Sequence, residues 1–165
     1  KTIKSYFGYN IMSVHTLNTT QRIPTDIESV WDFISSPKNL KEITPDYMGF
    51  EIIGNSPEKM YPGMLIQYRV SPVLGLKMTW VTEITHVKTG EYFVDEQRVG
   101  PYTMWHHQHH IKKIPGGVEM LDIIDYQAPL GILGDVANAV FIKRQLAEIF
   151  AYRKKAIEER FGIMK

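Results

Sequence analysis

The stretch MWHHQHHIKKIPGGVEMLDIIDYQA, Met104–Ala128, holds two extended runs joined by Pro115-Gly116-Gly117. A link this short makes the two strands antiparallel neighbours, because a parallel return needs a crossover of about a dozen residues or more. Successive side chains of a strand point to opposite faces. Trp105, His107, His109 and Ile111 therefore share one face, and Met104, His106, Gln108 and His110 share the other. The face with an aromatic at one end and an aliphatic at the other is assigned to the interior. Two imidazoles enter that interior together, and the following strand offers Met120, Asp122, Ile124 and Tyr126 on one face.

Working outward, further strand-like runs cover Tyr47–Gly54, Met64–Ser71, Leu76–Val87 and Tyr92–Val99, separated by Pro and Gly signals. A first strand is expected over Asn10–Arg22. Pro24 stops it, and Thr25-Asp26-Ile27-Glu28 reads as a capping box with Thr25 as the cap. Ile27, Val30, Trp31 and Ile34 then make one helical stripe. Ser35-Ser36-Pro37 opens a second short helix to about Ile43. After Pro129 and Gly131 the period changes. Val136, Val140, Leu146, Ala147, Phe150 and Ile157 recur at helical spacing, predicting one long helix over Asp135–Arg160. The expected architecture is α+β: a curved, seven-stranded antiparallel sheet wrapped around a long C-terminal helix, with two short helices after the first strand. Such a sheet and helix bury each other's apolar surfaces, and incomplete closure leaves a cavity between them.

The 165 residues suit a single domain over 1–165, with no linker or repeat. An apolar share of 44% and a charged share of 22% are those of a soluble globular chain. Nineteen basic against eighteen acidic residues give +1, so no global field draws nucleic acid or an anionic membrane. No apolar run is long enough to span a bilayer, and the N-terminal stretch has no signal-peptide core. The absence of cysteine excludes disulfides and thiolate chemistry and is compatible with a cytoplasmic location. Eight Met and nine Tyr suit a dense core or an adaptable pocket wall.

Several stretches resemble the SRPBCC superfamily, the START-like or Bet v 1-like helix-grip domains, over nearly the whole chain. They are Ile23-Pro24 through Val30-Trp31-Asp32-Phe33, Asn39-Leu40 with Ile43-Thr44-Pro45, and Met60-Tyr61-Pro62-Gly63. Trp80–Ile84, Phe93–Gln97, Gly100-Pro101-Tyr102, Trp105-His106-His107 with His109, Tyr126–Gly131 and Arg144-Gln145-Leu146 complete the set. Within the superfamily the chain looks like bacterial ligand-binding SRPBCC proteins near the polyketide cyclase/dehydrase group. The resemblance implies a deep hydrophobic cavity for a lipid-like or aromatic ligand. It implies no single reaction, since members include binders, transporters and cyclases.

Alternation adds Phe93, Asp95 and Gln97 to the inner set, with Trp80 inside as cavity wall and Glu83 on the other face of its strand. Tyr92, Val94, Leu121 and Ile123 make the opposite faces nearly as apolar, so the phase of each strand stays open. The expected ligand-binding set is Trp80, Phe93, Asp95, Gln97, Trp105, His107, His109, Met120, Asp122, Ile124, Tyr126 and Phe150. His107, His109 and Asp122 are the candidate catalytic residues. The two imidazoles and the Asp carboxylates have three uses: a buried polar network, an acid–base pair, or a metal site with His107, His109 and a carboxylate as ligands. No metal and no cofactor is assigned. His15, His86, His106 and His110 are expected at the surface, and Arg153-Lys154-Lys155 is read as a solvated helix face.

Three functions compete. The first is binding of a hydrophobic or aromatic small molecule by a monomer or homodimer, without nucleic acid or stable membrane association. The second is a cyclase/dehydratase-type enzyme with His107 or His109 as proton carrier, Asp122 or Asp95 as its orienter, and Tyr126 donating to an oxyanion. The third is a ligand-dependent regulatory or interaction protein whose entrance lip is Gly131–Asp135.

Overall fold

The computed structural model describes residues 13–73, 75–129, 136 and 138–164. The expected residues Asn10 to Met12 of the first strand and the Gly131–Asp135 lip lie outside them. Seven strands form one antiparallel sheet: β1 (His15–Ile23), β2 (Glu51–Ile52), β3 (Met64–Val73), β4 (Leu76–Lys88), β5 (Tyr92–Val99), β6 (Met104–Ile114) and β7 (Gly117–Gln127). Their order is β1-β7-β6-β5-β4-β3-β2, so every strand from β2 onward lies beside its chain neighbour and β1 closes against β7. The run expected over Tyr47–Gly54 shrinks to the two residues of β2, because Asp46–Met48 forms a 3₁₀ turn ended by Gly49 in the left-handed region.

The hairpin that opened the sequence reading pairs Ile114 with Gly117, Trp105 with Tyr126 and His109 with Asp122. Pro115 and Gly116 are its two turn residues, and Gly116 has φ 82°, which a side chain disfavours. Gly117 has no room for a Cβ, which would strike the Ile23 carbonyl oxygen. That close approach seats the start of β7 against the end of β1.

The first helix, α1 (Ile27–Ile34), turns Val30, Trp31, Phe33 and Ile34 into the core. Its cap is Asp26 and not Thr25. The Asp26 carboxylate accepts from the Ser29 N–H at 2.7 Å and from the Ser29 hydroxyl at 2.8 Å. The helix therefore starts one residue later than the Thr25 reading places it, and Glu28 is left as an acidic residue in the first turn. The second short helix is a 3₁₀ turn, Pro37–Lys41.

The long C-terminal helix has two parts. A π-helical turn, Asn138–Ile142, leads into α2 (Lys143–Phe161). The buried positions of α2 are Leu146, Phe150, Arg153 and Ile157, one stripe at helical spacing. Three members of the expected stripe fall elsewhere: Val136, Val140 and Ala147 are exposed. The opposite error concerns Arg153. It occupies the core-facing stripe at 8% exposure, while Lys154 and Lys155 stay outside and pair with Glu158 and Glu159 one turn on.

Candidate functional site

The inward faces of the strands carry the site. In β7 the buried residues are Val118, Met120, Asp122, Ile124 and Tyr126, a strict alternation that settles the phase of this strand. In β6 they are His107, His109 and Ile111. In β4, Trp80, Thr82 and Ile84 turn inward, while Glu83 points out and meets Arg98 at 2.5 Å.

Between these faces and α2 lies a cavity of about 170 Å³. Its aromatic wall comes from Tyr68, Trp80, Phe93, Tyr102, Trp105 and Phe150. Trp80 stacks on Tyr68 with ring centroids 6.0 Å apart and meets Trp105 edge-on at 5.5 Å. Asp95, His107, His109 and Arg153 form the polar part of the lining. The Trp80 indole N–H is buried with no hydrogen-bond partner among the described residues.

The polar part is one connected cluster. Asp122, 1% exposed, accepts the His107 Nε2–H at 3.2 Å, and its Oδ1 lies 2.7 Å from His109 Nδ1. On the other side of the two rings, Asp95 Oδ2 lies 2.8 Å from His109 Nε2 and 3.5 Å from His107 Nδ1. The rings themselves are 3.7 Å apart, and Phe93 stacks on His109 at 4.1 Å. Arg153 Nη2 reaches over from α2 to within 3.3 Å of Asp122 Oδ1 and 3.2 Å of His109 Nδ1. Every member sits in low dielectric, where an unpaired charge is costly and a paired one is held firmly.

This environment drives the two histidines apart. Burial, and then the charge of His109, push the His107 imidazole down to about 4, so it is neutral at pH 7. Burial acts against a charge on His109 too, but the carboxylates of Asp122 and Asp95 at its two nitrogens outweigh it and raise its value. Burial would raise both aspartates. The Arg153 guanidinium and the two imidazoles instead hold Asp122 well below the usual carboxylate range, and the His109 hydrogen bond lowers Asp95. Two carboxylates thus face one guanidinium and a histidine whose charged form they favour.

Of the residues expected to bind ligand, Trp80, Phe93, Asp95, Trp105, His107, His109 and Phe150 line the cavity. The others lie outside its lining. Asp122 stands behind the histidines, and Met120 packs in the core beneath them. Ile124 and Tyr126 pack against Leu146 and Phe150. Gln97 is spent on the chain itself: its amide donates to the Tyr102 carbonyl at 2.6 Å and accepts from the Tyr102 N–H at 3.2 Å. That clasp brings Tyr102 to the cavity, where burial keeps its phenol protonated. Arg153 is the member that sequence reasoning missed. Its signal was its phase, seven residues after Leu146 and four before Ile157. On the outer face His106 meets Glu96 at 3.0 Å and His110 meets Gln108 at 3.1 Å, both half-buried.

A strongly curved antiparallel sheet gripping a C-terminal helix, with a partly polar cavity between them, defines the helix-grip class. Residues 23–149 match the family described as polyketide cyclase / dehydrase and lipid transport, and the chain belongs to that family. Among solved structures, a protein from Chromobacterium violaceum superposes with a TM-score of 0.66 at 13% identity, covering 90% of this chain and 99% of its own. A protein from Thermus thermophilus gives 0.64 at 16% identity over 89% and 97% of the two chains. The ginseng major latex-like protein 151 from Panax ginseng gives 0.63 at 13% identity over 90% and 97%. At these identities the likeness is one of fold. Comparison by sequence with curated proteins gives no match. No helix among the described residues is long and apolar enough to cross a membrane.

Proposed function

We propose that the protein binds a hydrophobic or aromatic small molecule in the cavity between sheet and α2, with an oxygen-bearing end toward the polar cluster. The cavity itself carries this reading: aromatic walls, with one buried polar wall formed by Asp95, His107, His109 and Arg153. The unpartnered Trp80 N–H adds a donor that a ligand oxygen satisfies. The volume sets a scale. A dry cavity of roughly 150 Å³ holds a benzene-sized ring, so about 170 Å³ takes one ring. A polyketide-like or lipid-like molecule is larger than this and must extend beyond the cavity. The protein acts as a monomer or homodimer without nucleic acid.

The test is calorimetric titration with 4-nitrophenol, a single ring with acceptor oxygens. One saturable site is expected, and Ile149→Trp, which puts a larger ring into the cavity lining, removes it without lowering the unfolding midpoint. Equal binding by both proteins places the ligand elsewhere and defeats the reading.

A second reading, proton transfer on a carbonyl ligand, is favoured by the divergence of the two histidines. Environments that push neighbouring groups apart are how one site keeps an acid and a base at the same pH. In this reading His107 is the base and His109 the acid. Tyr102, which lines the cavity, is the phenol placed to donate to an oxyanion, in the role first given to Tyr126. Turnover of a candidate ligand that is lost in His107→Ala and Asp122→Asn distinguishes it from binding alone.

A further inference from the structure

We infer that Asp95, His107 and His109 form a binding site for one divalent transition-metal ion, open to the cavity. The inference starts from Asp122. Its single oxygen, Oδ1, lies on His107 Nε2 and on His109 Nδ1 at 3.2 Å and 2.7 Å. A proton on each of these nitrogens satisfies both contacts, because a lone pair turned toward a carboxylate oxygen is repelled; Arg153 Nη2, 3.2 Å from His109 Nδ1, is directed to the same carboxylate oxygen at 3.3 Å. The remaining nitrogens, His107 Nδ1 and His109 Nε2, then face Asp95 Oδ2 at 3.5 Å and 2.8 Å. Three electron-rich atoms from two neighbouring strands then lie within 4.8 Å of one another, and a cation between them offsets their mutual repulsion. A proton between His109 and Asp95 serves one pair. A divalent ion serves all three atoms.

The separations fit. Ligands at about 2.1 Å from a metal stand roughly 3.0–3.5 Å from one another, and of the two distances to Asp95 one, 2.8 Å, lies just below that range and the other, 3.5 Å, at its upper end. The surroundings fit as well. Metal-bound histidines characteristically donate their other N–H to a carboxylate, which fixes the tautomer and orients the ring. Here one carboxylate, Asp122, does this for both rings, and Arg153 at 3.3 Å offsets its charge. With neutral imidazoles, Asp95, Asp122 and Arg153 sum to −1, so a divalent ion leaves a net +1 on the cavity side. That charge selects a ligand with an anionic or strongly polarised oxygen, such as a phenolate, enolate or carboxylate. Nitrogen–oxygen donor sets of this kind suit zinc, iron(II), cobalt or nickel and not calcium. Arg153 and Asp122 are positioning residues in this arrangement, since neither contacts the ion.

The full chain is stripped with chelator and titrated with Co²⁺ alone, followed by visible absorption and native mass spectrometry. One equivalent per chain is expected, with the d–d bands of a low-symmetry site, and Zn²⁺ displaces it. Asp95→Asn, a near-isosteric change, abolishes the bands, while Asp122→Asn weakens affinity about 10–100-fold. His106→Gln, on the outer face, leaves binding unchanged. A chain that takes up no Co²⁺ overturns the inference. So does binding that survives Asp95→Asn or vanishes in His106→Gln. If the Asp95 variant unfolds, proton NMR of the wild type decides: Co²⁺ must shift and broaden the ring signals of His107 and His109 ahead of all others. Because only the metal is added, failure here leaves small-molecule binding in the cavity standing, and failure with 4-nitrophenol leaves the metal site standing.

Discussion

Replacing Arg153 by Met keeps the length and apolar stem of the side chain and removes its charge. The guanidinium lies 3.3 Å from Asp122 Oδ1, with 9% and 2% of the two side chains exposed. At an effective dielectric constant near 20 this separation corresponds to an attraction of ~5 kcal/mol. Removing one partner of a buried pair costs roughly 3–5 kcal/mol, because the other charge is stranded. Asp122 keeps His109 Nδ1 at 2.7 Å as a second partner, so the lower end of that range, about 3 kcal/mol, is expected. For a chain of this size that is a fall of roughly 6–12 °C in Tm. Urea unfolding of metal-free protein measures it, with Asp122→Asn and the double variant completing a cycle. The double variant is expected to cost less than the two single changes together by about 2 kcal/mol, since it strands neither charge. An Arg153→Met change within 0.5 kcal/mol of wild type, the usual span for a surface residue, refutes the reasoning and returns Arg153 to the solvated face.

Two further predictions concern protonation and capping. In metal-free protein, histidine-selective NMR should show His107 neutral down to about pH 4 and His109 still protonated above its ordinary 6.5. The folded value of His107 lies below its unfolded one, so between pH 4 and 6.5 the unfolded chain binds the extra proton and His107 makes stability rise with pH. For His109 the sign reverses. Its contribution is complete below 6.5 and is lost as pH rises through its folded value. Asp122 and Asp95 stabilise the fold above about 3.8, and that part is lost as pH falls through their lowered values. Both rings titrating together near 6.5 would contradict the cluster. At the start of α1, Asp26→Ala should lower the unfolding midpoint and Thr25→Ala should leave it unchanged, since only the Asp26 side chain meets the Ser29 N–H. The reverse order would restore Thr25 as the cap.

The alternation in Met104–Ala128 put His107 with His109, and Asp122 with Met120 and Ile124, on shared faces, because the two-residue period of a strand is a local property of the backbone, and the structure decided that both faces turn inward. Short Pro- and Gly-bearing links likewise made the order of β2 to β7 readable, since such links permit only antiparallel neighbours. Three things needed the tertiary structure. Gln97 shares a face with Asp95, but whether it meets a ligand or the chain depends on where Tyr102 folds back. Arg153 looked solvated because it heads a basic triplet. It is buried because the helix phase brings it over Asp122, a residue 31 positions away whose charge no local pattern weighs. The cavity, and with it the split between the two histidines, follows from how closely α2 closes on the curved sheet. That closure is a sum of packing contacts between distant segments, and strand period and turn chemistry carry no information about it.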